Sequence, residues 1–238
     1  MTDKSPSVTE ILPQARNSLF LPAVIWLALD LLILLAAQQW LKGSFPLFTF
    51  AWLLPPLIVL LISRDPGQIG IRGVALKMFL PALGLNALGV FLIAIVCEPW
   101  SHAYQALLQK ALEAPAPDTT FAWLLRFPGW PGYVLMFLYT GLVTIFAEEL
   151  FFRGWLLLWL EKKMPATWAI LLQALLFTLP QAIAALFLSP IQGAVYVIAY
   201  SFFAIGVIGG WAAWRTKSIW PSLITASLMN LIFAIIVL

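Results

Sequence analysis

Phe146-Ala147-Glu148-Glu149-Leu150-Phe151-Phe152-Arg153 places two adjacent carboxylates and a guanidinium inside an apolar stretch. The chain is 63% hydrophobic and only 10% charged, so three of its few charges stand where lipid would surround them. An ionised side chain at the centre of a membrane helix costs about 2.5–3.5 kcal/mol on translocon scales. Acids kept at that cost usually carry function. The bland alternative is a buried ion pair that locks helix packing, with an incidental second acid.

Outward from this cluster, the chain of 238 residues carries 12 Trp and has a mean hydropathy of +0.98. Soluble domains do not combine so much apolar surface with so little charge. The expected class is all-α, a polytopic transmembrane helix bundle of about seven spans. The net charge of +3 gives no ground for a nucleic-acid partner; its meaning lies in where the cations fall. One cysteine, Cys97, excludes an internal disulfide and a thiolate metal cluster. The first apolar run, from Leu19, is too long for a signal-peptide core and reads as a membrane anchor.

Seven runs can cross about 30 Å of hydrocarbon. They lie near Leu19–Trp40, Phe45–Ile62, Val74–Cys97, Gly132–Leu160, Thr167–Leu188, Gly193–Trp214 and Ile219–Leu238. The expected organisation is a tail over 1–18, a single transmembrane domain over 19–238, and an extracytoplasmic loop over 98–131. One side holds Lys4, Arg16, Arg64, Arg72, Lys77, Lys162, Lys163, Arg215 and Lys217; the other holds Lys42, Lys110 and Arg126. By the positive-inside rule the amino terminus is cytoplasmic and the carboxyl terminus outside. The expected location is the bacterial inner (plasma) membrane, with the lipid bilayer as the first partner and a membrane protein or peptide as a second. The oligomeric state is left open.

Counting inward from the cytoplasmic boundary brings Glu148, Gln181 and Asn230 to one depth on three helices, with Asp30 of the first span at a similar level. Polar groups in lipid need partners, so they are expected to meet inside the bundle. Glu149 and Arg153, spaced i, i+4, can pair on one helix face. Glu148 is rotated about 100° from Glu149 and has no charge partner on its own helix, which makes it the candidate proton acceptor. Gly206 and Gly210 permit close backbone approach, most simply within the bundle. His102 reads as a loop residue remote from the polar layer.

Glu148-Glu149-Leu150-Phe151-Phe152-Arg153-Gly154 resembles the Glu-Glu-x-x-x-Arg motif of the CAAX protease and bacteriocin-processing (CPBP, or Abi) intramembrane endopeptidases. The likeness covers about 131–238. The family's second motif, Phe-x-x-x-His, reads Phe177-Thr178-Leu179-Pro180-Gln181 here, and its His-x-x-x-Asn reads Ala226-Ser227-Leu228-Met229-Asn230. The lead-in Ser218-Ile219-Trp220-Pro221-Ser222 also resembles the family. The resemblance implies a first glutamate that activates water, histidines that bind metal or position that water, and an Asn at the oxyanion. It therefore assigns site roles to Glu148, Glu149, Arg153, Gln181 and Asn230.

Both histidines are replaced. Gln cannot serve as a base and Ala offers no polar atom, so no zinc and no cofactor are expected. Three functions stay open: a pseudoprotease that binds a membrane partner or peptide through its polar cavity, a glutamate-dependent endopeptidase acting on prenylated or leader-peptide substrates, and a transporter or channel subunit. The first is the preferred expectation, because a lone carboxylate supplies only about 10²–10⁴-fold of general-base help.

Overall fold

The computed structural model describes residues 25, 28, 32, 47–96, 131, 134, 137–185 and 189–237. All regular structure among them is helical, with no strand. Six helices result. α1 is Leu47–Ser63, and a short 3₁₀ turn, Pro66–Ile69, leads on to α2, Leu76–Val96. α3 runs unbroken through Phe137–Thr144, Ile145–Glu148, Glu149–Leu156 and Leu157–Leu160. α4 is Ala166–Ala185, α5 joins Pro190–Ala194, Val195–Ile208 and Gly209–Thr216, and α6 is Trp220–Val237.

These helices follow the apolar runs closely. Asp30, Cys97 and His102 lie outside the described residues, as do the first expected span apart from residues 25, 28 and 32 and the loop over 98–131 apart from residue 131. Within them, the Val195–Thr216 part of α5 is the one helix that is long and apolar enough by itself to cross a membrane; Trp52–Ser63, Leu76–Leu92 and Ala166–Ala182 are shorter apolar stretches.

α3 occupies the centre, packed by α1, α4, α5 and α6. From Glu149 to Leu160 it is buried on every side, the Glu149–Arg153 face included. Its turns are partly widened: the Leu157 amide donates to the Phe152 carbonyl, five residues back. Such turns are frequent at functional sites.

α2 exposes apolar side chains and buries a polar one. α2 buries Ala82, Asn86 and Val90, spaced i, i+4, i+8, and exposes Leu80, Leu85, Leu88, Phe91 and Leu92. Asn86 is 2% exposed while Leu88 is 52% exposed, the reverse of a soluble amphipathic helix.

The end of the bundle that carries the short connections is closed by two glycines. Gly70 sits at φ +74°, a left-handed conformation that glycine adopts without cost, and caps the 3₁₀ turn. A Cβ on Gly154 would stand 2.2 Å from the Ile69 carbonyl oxygen. The Ile219 amide donates to the Gly70 carbonyl at 3.1 Å. The turn after α1, the middle of α3 and the start of α6 thus meet at one point.

Candidate functional site

Glu149 and Arg153 are both 1% exposed. Arg153 Nη1 lies 3.0 Å from Glu149 Oε1, a charge contact without hydrogen-bond alignment. Arg153 Nη2 donates to the Ile205 carbonyl on α5 at 2.8 Å. The guanidinium carbon lies 4.1 Å from the centroid of the Phe177 ring on α4, within cation–π range. Phe177 also meets Phe152 edge-on at 5.3 Å. One arginine therefore ties α3 to both α4 and α5, and the first residue of the second motif is the platform under it.

The other carboxylate oxygen is held from α6. Ser222 Oγ donates to Glu149 Oε2 and also lies 3.0 Å from the Ile219 carbonyl. A hydroxyl has one proton, and the charged acceptor makes the stronger bond. Gly209 keeps room at this junction: a Cβ there would touch Ser222 Cβ at 3.6 Å and Arg153 Nη2 at 3.7 Å.

Around the Glu149 carboxylate runs a narrow crevice, too tight to hold a water, lined by Asn86, Ile205, Gly209, Ser222, Thr225 and Ala226. Asn86 Nδ2 approaches the Pro221 carbonyl at 3.5 Å, and its buried Oδ1 has no partner among the described residues. Ala226, where the resemblance places a histidine on the last helix, is part of this wall.

The remaining expected residues are placed differently. Glu148 is only half-buried and carries no hydrogen bond among the described residues. Gln181 Oε1 accepts from Tyr196 Oη on α5 at 2.8 Å; no described hydrogen bond joins it to Glu148. Asn230 lies on α6, with its side chain outside the description. So the structure gathers Glu149, Arg153 and the Ala226 position, leaves Glu148 beside them without a described hydrogen bond, and engages Gln181 with α5. Sequence reasoning quoted Phe177 and Ser222 within family-like stretches without giving either a site role, and did not mention Asn86. The signal for Asn86 was a polar residue inside an apolar run.

The resemblance implies a metal or a held water between imidazoles. The donors present do not fit a zinc ion. Glu149 is already engaged through both oxygens, and Ala226 has no donor atom. No group of three or more His, Cys, Asp or Glu converges among the described residues, whereas catalytic zinc takes three protein ligands.

Residues 130–232 match the family model described as type II CAAX prenyl endopeptidase Rce1-like. The chain thus carries an Rce1-like domain over this segment, consistent with the CPBP family. No curated protein and no solved structure gives a significant match.

Proposed function

We propose that the chain is an integral membrane protein of CPBP-like fold that has lost its peptidase chemistry and binds a membrane protein or peptide through its polar site. In this reading seven helices cross the bacterial inner membrane with the amino terminus in the cytoplasm. The tail is 1–18, the transmembrane domain 19–238, its CPBP-like core 131–238, and the extracytoplasmic loop 98–131. The inverted polarity of α2 supports the membrane environment, and the Rce1-like match over 130–232 supports the core.

The observation that carries the loss of chemistry is Ala226 in the wall of the Glu149 crevice. Where the resemblance calls for an imidazole there is a methyl group, and the neighbouring carboxylate is saturated by Arg153 and Ser222. Such a site holds helices together, and it has no imidazole to hold or activate water.

A glutamate-dependent endopeptidase is the second reading, and Glu148 favours it. Its carboxylate is half-buried, free of described hydrogen bonds, and next to the saturated pair. It could accept a proton from an attacking water. Incubation of the purified protein with prenylated and leader-peptide substrates, beside Glu148→Gln, separates the two. Binding without cleavage in both supports the first reading; cleavage by the parent that is lost in Glu148→Gln establishes the second.

A further inference from the structure

Three connections converge at one end of the bundle. The Ile219 amide bonds to the Gly70 carbonyl, Ser218 Oγ donates to the Arg72 carbonyl at 3.0 Å, and Lys217 pairs with Glu161. The loop after α1, the α3–α4 connection and the α5–α6 connection therefore share one surface.

Its charge is one-sided. The two acids on it are both engaged: Asp65 accepts from the Gly67 amide at 2.9 Å and from Gln68 Nε2 at 3.2 Å, and Glu161 is held by Lys217. Arg64, Lys77, Lys163 and Arg215 are exposed and make no ion pair among the described residues. The surface also marks a boundary. Leu61 and Ile62, just before Arg64, are 76% and 50% exposed, and Leu76, just before Lys77, is 66% exposed. Trp168, at the start of α4, is 64% exposed. Bare apolar side chains next to unpaired cations and an exposed indole are what a phospholipid presents a complement to: acyl chain below, phosphate above.

We propose that this face binds anionic phospholipid headgroups, collecting them around the folded protein. The proposal rests on the membrane reading given above. It goes beyond topogenesis, since topogenic cations act during insertion and need no lipid preference afterwards. Basic residues beside a bilayer attract acidic lipids individually and sum over a cluster.

The test uses the full chain in mixed phosphatidylglycerol–phosphatidylcholine nanodiscs, with retained lipid counted by mass spectrometry after limited detergent extraction. The parent should retain phosphatidylglycerol about tenfold over its bulk share, and Arg64→Gln/Lys77→Gln/Lys163→Gln/Arg215→Gln should lose most of that preference. High salt should weaken it in the parent. Equal retention of both lipids by the parent, or undiminished preference in the variant, overturns the proposal. Single Lys163→Gln and Arg215→Gln proteins, each expected to lose part of the preference, replace the quadruple variant if it does not fold. Carbonate extraction of native membranes is run alongside. Release from the membrane would overturn the membrane reading and this proposal together, whereas firm retention without lipid preference overturns this proposal alone.

Discussion

Ser222, on the last helix, donates its hydroxyl proton to the Glu149 carboxylate on α3, from 73 positions further along the chain. The bond sits beside the Arg153 contact, so a single carboxylate couples a local ion pair to a long-range closure. Both partners are buried, which makes the junction costly to break from either side.

Glu149→Ala and Arg153→Ala should each destabilise the protein by about 3–5 kcal/mol, because the survivor is left as an unpaired buried charge. The double variant should recover part of the loss, and Ser222→Ala should cost less, about 1.5–3 kcal/mol for a bond to a charged acceptor. Thermal unfolding in detergent gives the order. Equal melting of the single and double variants would mean the charges are not coupled.

Gly154→Ala should be the most damaging of the glycine changes. Its new Cβ would meet backbone, the Ile69 carbonyl oxygen, at 2.2 Å. Gly210→Ala would meet Gln173 Oε1 at 2.6 Å, and the end of a flexible side chain can move away. Overpacking typically costs about 1–3 kcal/mol; Gly154→Ala should lie at or above that range and Gly210→Ala at its lower end. Comparable melting temperatures for the two would contradict the docking described for the 3₁₀ turn.

Glu148→Gln should leave folding nearly unchanged, since the side chain is half-buried and carries no described hydrogen bond. If the crevice only binds, partner capture in membranes should persist as well. Placing imidazoles where the resemblance expects them, by Gln181→His with Ala226→His, asks whether the scaffold is aligned for chemistry. A gain of peptidase activity or of bound zinc would show that it is; a folded protein with neither supports a diverged binding cavity.

A reporter fused after Lys163 should read as cytoplasmic, and one fused after Leu238 as extracytoplasmic. The expectation follows from the distribution of cations along the chain. Both reporters on one side would sink the seven-span topology.

Much of the helical layout was legible because an apolar run marks its own length, and α1, α2, α4, α5 and α6 each follow one. The Glu149–Arg153 pair was legible for a local reason: four residues along a helix bring side chains to one face. Depth was a weaker guide. Counting residues placed Gln181 level with Glu148, but the rotation of each helix about its axis decides who meets whom, and Gln181 is turned to Tyr196. Ser222 was quoted without a role because a lone hydroxyl inside a span can satisfy itself on its own backbone, as its contact with the Ile219 carbonyl shows. Gly206 and Gly210 announced a close approach but not its partner. That partner is α4, where a Cβ on Gly206 would stand 2.8 Å from Ala174 Cβ.

The hydrogen bond from the Ile219 amide to the Gly70 carbonyl has a consequence for biogenesis. Gly70 leaves the ribosome early, and the residue that docks on it follows only after α2, α3, α4 and α5 have been made. Throughout that interval the turn can pack only on Gly154 of α3, and the Gly70 carbonyl lacks its donor. Closure of this end is therefore the finishing step of assembly. A chain interrupted before α6 would present an unlatched bundle, with an open Gly70 carbonyl and a Glu149 carboxylate lacking its Ser222 bond, by which quality-control machinery could tell it from the finished protein.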